Sequence, residues 1–461
     1  MIFREDGRKA VRECELEWHC HEVKLAQKEL DDGYEIEGYG IIKSHESGGL
    51  YLDFVCLKSN KRIKYLSPIP ADFLDEKQTL SMSATTIDGL KILSDGLRIE
   101  TTLQKMMSPG PTFYRLWLDN FEIIHSEDDN PEDSYLHMEF NEKCSIPTNK
   151  SNTTESTLGT KTSSWNQTVL SYSDFEINII HHDYYTEVYA NGTDTKLDVL
   201  KDAIIFYLGF TSGKFMQPYF EYRREGADAI EKIHSVDRTK IKSSIPAPVR
   251  GYVYDQDKLS MDGCHFDIFS NICDIIMEKP LLFESVYSQW KRIWHSFLSP
   301  EFSVPMLTVS VAIEGLLNDV FIPVIAGNLK DEAFEEEKVR ISDLVSGIDG
   351  ISDEHIESIK RYVEKWGNIH PKKSLEYLVI KGVLEKRHIK NWVDLRNSSA
   401  HPKLVVSSEG RRRKDIGRTI VCLGLFYRLA LNIFSFKGAQ YAYEEPKDDK
   451  LVVYRYVNLL H

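Results

Sequence analysis

The sequence predicts an α+β protein: a β-rich N-terminal domain over residues 1–255, then an all-α helical bundle over 256–461. Three observations carry this expectation. Short runs that alternate apolar and polar residues, broken by Gly, Asn and Asp, fill the first 250 residues, as half-buried strands and their turns do. A stretch bearing Pro and Gly, "SSIPAPVRGYVYDQDKLSMDG" (243–263), reads as a linker. Beyond it the apolar spacing becomes that of helices.

In chain order, "YEIEGYGIIKSHESGGLYLDFVCLKSNKRIKYL" alternates around a Gly-Gly turn and predicts a hairpin. "LRIETTL", "TFYRLWLDNFEII", "SYLHMEF" and "FEINIIHHDYYTEVYANG" predict further short strands. Acidic "SEDDNPED" (126–133) and Ser/Thr/Asn-rich "TNKSNTTESTLGTKTSSWNQT" (148–168) read as solvated loops. "LDVLKDAIIFYLGFTSG" (197–213) predicts one helix stopped by a glycine. After the linker, "HFDIFSNICDIIMEK", "LLFESVYSQWKRIWHSFL", "VPMLTVSVAIEGLLNDVFIPVIAG" and "RRRKDIGRTIVCLGLFYRLALNIFSF" have helical spacing. Shorter, more charged helices fill 329–397, and the tail "KLVVYRYVNLL" fits a strand or a helix.

Composition narrows the class. With 42% hydrophobic and 28% charged residues the chain matches an ordinary soluble globular protein. The opening "MIFREDGRKAVRECELEW" places charges where a signal peptide needs an apolar run. The best candidate for a membrane span, Ile416 to Phe434, carries Arg418 and Arg428 and suits a buried core helix instead. Seven scattered cysteines, an odd number, suit a reducing cytoplasm, where N-x-[ST] triplets such as those at Asn149, Asn152, Asn166 and Asn191 carry no weight. A net charge of −14 argues against indiscriminate nucleic-acid binding, because phosphate attraction is its main source. Residues 381–418 run the other way, with 11 Lys/Arg against 4 Asp/Glu.

Within that basic window, "WVDLRNSSAHPK" (392–403) sets Arg396 and His401 apart by four intervening residues. Leu384, Trp392 and Leu395 can share an apolar stripe, while Asn397, Ser398 and Ser399 favour a helix stop. Pro402 disfavours helix at His401. Arg396 is therefore expected on a last helical turn, with His401 on the extended segment after it, so that the two converge. Spacing alone fits equally a surface Arg and a capping His. Arg12/His19 and Arg455/His461 recur at similar intervals, so context has to separate the pairs.

"LRNSSAHP" resembles the R-x4–6-H signature of the HEPN superfamily, with a polar residue, Asn397, directly after the Arg. In that family the motif ends one core helix and a long apolar helix follows, as "RRRKDIGRTIVCLGLFYRLALNIF" does here. "LTVSVAIEGLLNDVF" (307–321) resembles the earlier family helix with an acidic residue in its apolar face, here Glu314. A β-rich N-terminal half before a helical C-terminus is similar to the ApeA-like HEPN proteins of bacterial anti-phage defence. The resemblance covers about 265–436; over 1–255 only the β-rich character agrees.

The resemblance implies a metal-independent endoribonuclease with no cofactor, acting as a homodimer whose motifs meet face to face. It further implies abortive-infection defence in the cytoplasm, a phage-derived trigger, and an N-terminal domain that senses or restrains. The chemistry suits the residue types. RNA carries an internal nucleophile in its 2′-OH, imidazole titrates near neutrality, and guanidinium matches phosphate with a planar fork. Arg396 and His401 would be catalytic. Asn397 would fix the motif's geometry or cap the helix, and Glu314 would orient Arg396 or lie on a polar seam. Lys403, Arg411, Arg412, Arg413, Lys414 and Arg418 would form a phosphate track or a solvated charge run. The alternative is a non-catalytic HEPN scaffold that dimerises or recognises a protein or small-molecule partner.

Other signals are weaker. "CELEWHCH" puts Cys14, His19, Cys20 and His21 on alternating faces of a strand, where they cannot converge on zinc. "GFTSGKF" (209–215) is one residue short of a phosphate-binding P-loop and has Phe215 where Ser or Thr is required, so it reads as a helix end. "HHDYY" (181–185) reads as a strand with exposed histidines in preference to a metal pair.

Overall fold

The chain is described by a computed structural model over residues 5–61, 68–70, 72, 74–99, 112–126, 133–155, 161–193, 196–226, 228–250, 259–328, 332–348, 350–400, 408–443, 449–453 and 456–458. It divides into two compact units, Met1–Pro246 with Gly251–Tyr254, and Ala247–Arg250 with Asp255–His461. The architecture is α+β, with a β-rich N-terminal part and a helical C-terminal part.

The first unit opens with a helix that the sequence reading did not anticipate, α1 (Glu5–Glu13). Strands β1 (Glu17–Ala26), β2 (Glu35–Ser44), β3 (Leu50–Ser59), β4 (Leu80–Thr86), β5 (Lys91–Leu97) and β6 (Thr112–Leu118) follow. Next come β7 (Asn120–Ser126), β8 (Ser134–Phe140), β9 (Lys150–Glu155), β10 (Lys161–Tyr172), β11 (Phe175–His181) and β12 (Thr186–Gly192). Helix α2 (Leu197–Ser212), β13 (Pro218–Glu225), β14 (Asp228–His234) and a short α3 (Arg238–Ile241) complete it. All fourteen strands join one sheet in the order β6-β3-β2-β1-β4-β5-β7-β14-β13-β8-β12-β11-β10-β9. Strand alternation builds the core: along β11, Phe175, Ile177 and Ile179 point inward while Glu176 is exposed.

The expected β2–β3 hairpin turns at Gly48 and Gly49. Gly48 has φ +93°, and a Cβ there would lie 2.0 Å from the Val236 carbonyl oxygen, so only glycine fits. Helix α2 is buried over most of its surface and ends at Gly213 in the left-handed conformation, which makes "GFTSGKF" a helix end. Residues 148–168 overturn an expectation: they contain β9 and most of β10 rather than a loop. Thr is β-branched and suits a strand, and β9 is the terminal strand of the sheet, where polar side chains are tolerated. Of "LRIETTL", Ile99 bridges Ile69, and residues 100–103 lie outside the described residues, as do 127–132 of the acidic stretch.

The second unit is built from α4 (Leu259–Glu278), α5 (Pro280–Ser296) and α6 (Ser303–Leu316), which passes through a π-helical turn (Leu317–Phe321) into α7 (Ile322–Asn328). Then follow α8 (Glu332–Ser346), α9 (Asp353–Glu364), α10 (Pro371–Ile380), α11 (Lys386–Ala400) and α12 (Glu409–Ile433). The start of the tail is a strand: β16 (Asp449–Val453) pairs with β15 (Ala439–Tyr443). Trp290, Trp294, Leu316, Phe321, Leu395, Phe426 and Leu429 are among its fully buried residues. Among the described residues, two stretches, 303–328 and Glu409–Ile433, are long and apolar enough to cross a membrane. Their apolar windows are 50% and 72% buried inside the protein, as core helices are.

Candidate active site

Helix α11 carries the motif, and its own start fixes where it points. The Glu385 N–H, just before the helix, donates to Nδ1 of His388 (3.1 Å), half of a capping box with a histidine in the acceptor role. Burial, with Arg387 and Arg428 nearby, pushes His388 down to about 3, so the ring stays neutral and able to accept. One turn on, buried Trp392 donates its indole N–H to the Ser310 carbonyl on α6 (3.1 Å). A further turn on, Arg396 Nη2 donates to Glu314 Oε1 (2.7 Å). Both contacts advance by four residues on each helix, so the Trp392 anchor sets the register of the Arg396–Glu314 pair.

The Arg396 side chain is 47% exposed and that of Glu314 only 24%. The Arg396 guanidinium also lies 5.6 Å from the centre of the Trp392 ring. No second hydrogen bond of the Arg396 guanidinium is found among the described residues.

The expected helix stop at Asn397–Ser399 is corrected: α11 continues through all three to Ala400. Ser398 and Ser399 each donate a hydroxyl back to the Leu395 carbonyl at 2.9 Å, which satisfies them inside the helix. Asn397 is exposed and its side chain bonds to no described residue, so it does not cap α11. His401 and Lys403 lie outside the described residues.

Ser408 caps α12 by accepting from the Arg411 N–H (3.3 Å). Arg411, Arg412, Arg413 and Lys414 are exposed on its first turns, with Arg413 paired to Glu409 (2.6 Å). Arg418 differs. It holds Asp394 of α11 (2.8 Å) and Asp415 (3.4 Å) and acts as a clip between the two helices. Of the rival pairs, Arg12 and His19 engage different partners, Glu139 and Glu17, and Arg455 and His461 lie outside the described residues.

The "CELEWHCH" residues do not converge: Cys20 is buried, His21 donates to the Thr86 carbonyl and His19 faces Glu17. A cluster that sequence reasoning missed lies in the β-rich unit, where His137, Glu139 and Glu187 bring ligand atoms within 4.8 Å of one another. The two carboxylates are already engaged. Glu139 accepts from Arg8, Arg12 and Tyr219; Glu187 accepts from His137 and His182 (3.0 Å each) and from Tyr189. Burial alone would raise Glu187, yet the bonds from His137, Tyr189 and His182 outweigh it and hold the carboxyl at about 2. The group is an internal, charge-balanced network.

"HHDYY" is likewise corrected: His181 is buried and His182 is bonded into this network. The legible signal was a His and two Glu interrupting otherwise apolar strands, "SYLHMEF" and "YTEVYANG".

No protein-family model, curated protein or solved structure matches the chain. What the site can do has to be argued from its residues. A half-exposed guanidinium, steadied by a carboxylate from a neighbouring helix, can receive one edge of a phosphate without first having to be ordered.

Proposed function

We propose that the helical unit is a HEPN-type, metal-independent endoribonuclease serving anti-phage defence in the cytoplasm. The observation that carries this reading is the Arg396–Glu314 contact, a tethered but half-open guanidinium five residues before His401. In the proposed reaction the RNA 2′-oxygen attacks the adjacent phosphorus while an imidazole takes its proton. The bond from phosphorus to the 5′-oxygen breaks, a second imidazole protonates that oxygen, and a 2′,3′-cyclic phosphate remains. Arg396 stabilises the charge gathering on the phosphoryl oxygens. Acid–base participation accounts for about 10²–10⁴-fold and electrostatic stabilisation for about 10²–10³-fold.

One copy has a single His401, so the reading requires a homodimer. An apolar stripe supports this. Val304, Leu307 and Val311 are exposed at spacings of three and four along α6, on the face that continues to Glu314. Arg411, Arg412 and Lys414 are the cations proposed to track phosphates, since Arg418 is engaged by two carboxylates. The β-rich unit would sense a phage-derived trigger.

The test is cleavage of cellular RNA in EDTA by wild type and by His401→Ala. Cleavage by wild type alone, leaving cyclic phosphate ends, is expected. Equal cleavage by both would remove His401 from the mechanism, and no cleavage by either would leave a latent enzyme awaiting its trigger or a binding scaffold.

A further inference from the structure

We propose that a cleft in the β-rich unit binds a nucleoside phosphate, an inference independent of the ribonuclease reading. The cleft, of roughly 560 Å³, lies between the end of α1, the residues after β8, the β11–β12 turn and α3. That is the size of a small-ligand site. Three cations line it: Arg12, Arg238 and Lys242.

Arg12 is held from beneath. Its Nη1 donates to Glu139 (3.2 Å) and to the Tyr219 hydroxyl (3.0 Å), and its guanidinium lies 3.9 Å over the Tyr185 ring. Tyr185 in turn stacks on His182 with centroids 4.0 Å apart. Nε and Nη2 of Arg12 bond to no described residue, so a fixed fork is offered to the cleft. Arg238 and Lys242 have no carboxylate partner among the described residues. Of the two acids in the lining, Glu142 is neutralised by Lys214 at 2.5 Å. With Arg12 paired to Glu139, the cleft still sets two cations, Arg238 and Lys242, against one acid, Glu13, in a chain whose net charge is −14.

Two further groups narrow the ligand. Tyr184 is 86% exposed in the lining and presents a ring face on which a base can stack. Glu13 is an acceptor for ribose hydroxyls, the role a carboxylate plays in dinucleotide sites. Inorganic phosphate would use neither, whereas a nucleotide uses all three kinds of contact.

The test is calorimetric titration of the full-length protein with the four ribonucleoside triphosphates, adenosine and tripolyphosphate. At least one triphosphate is expected to bind and adenosine is not. Arg238→Glu with Lys242→Glu should weaken binding by at least about tenfold, and Tyr184→Ala by about tenfold, with Tyr184→Phe close to wild type. These residues are on the surface, and unchanged thermal unfolding would confirm the variants are folded. The proposal is overturned if no triphosphate binds below about 1 mM, or if the double variant binds as wild type does. It is overturned too if tripolyphosphate binds as tightly as the triphosphates and Tyr184→Ala changes nothing, which would leave a bare anion site.

Discussion

Arg396 and Glu314 form an ion pair that contributes little to stability, and this is what makes it informative. A partly exposed pair stabilises a fold by about 0–1 kcal/mol. Glu314→Gln, which keeps an acceptor oxygen but loses the charge, should leave the thermal midpoint nearly unchanged and lower RNA cleavage about tenfold. Arg396→Lys should also fold normally, yet lose about 10²–10³-fold in cleavage, because an ammonium cannot offer a planar fork to phosphate. Wild-type cleavage by Arg396→Lys would reduce the pair to a surface ornament. Both residues were legible in the sequence, one as part of a motif and the other as an acid interrupting an apolar helix. Their pairing was one of the two roles the sequence offered for Glu314, but the anchor that sets its register was not legible. The Trp392 indole meets a backbone carbonyl 82 residues earlier in the chain, and no local pattern encodes that pairing.

Among the elements, α11 shows how local signals compete. Asn397, Ser398 and Ser399 predicted a stop, but the helix ran on because two hydroxyls found the Leu395 carbonyl inside it. Its first turn depends on neutral His388. The folded-state value of about 3 lies below the ordinary 6.5, so the unfolded chain binds more protons as the solution turns acid. This contribution to stability is complete above pH 6.5 and is lost as pH falls towards 3. His388→Gln retains an acceptor for the Glu385 N–H and does not titrate. Between those limits it should flatten the dependence of unfolding free energy on pH by up to about 1.4 kcal/mol per unit. An unchanged slope in denaturant titrations at pH 4, 5 and 6 (roughly the middle of the window) would contradict a neutral buried ring. The long apolar helices and the Gly-turned hairpin were legible because their periodicity is local. The strands at 150–155 and 161–172 were not, since their Ser, Thr and Asn gain strand character from sheet neighbours. Nor was the inward face of "HHDYY", because the groups it meets, Thr168 for His181 and Glu187 for His182, lie on neighbouring strands.

At the scale of the whole molecule, charge and stoichiometry constrain the proposed chemistry together. A chain of net charge −14 repels RNA at long range, and the excess of cations over 381–418 offsets that only locally. Apposing two copies would place two such windows, two Arg396 and two His401 around one scissile phosphate, which also supplies the second imidazole the reaction needs. The α6 stripe offers a self-complementary surface for a two-fold contact, in which the same residues face each other across the axis. Scattered exposed apolar side chains are ordinary, but Val304, Leu307 and Val311 repeat with a helical seam's spacing and continue to Glu314. Leu307→Glu with Val311→Glu replaces surface residues, so it should leave the fold intact while setting four like charges against one another across the seam. Sedimentation is expected to show a dimer for wild type and a monomer for the variant, with cleavage falling in step. A variant that stays dimeric would move the interface elsewhere on the helical unit. A monomer that cleaves as fast as wild type would mean that one Arg396 and one His401 suffice, and the two-copy mechanism would have to be abandoned.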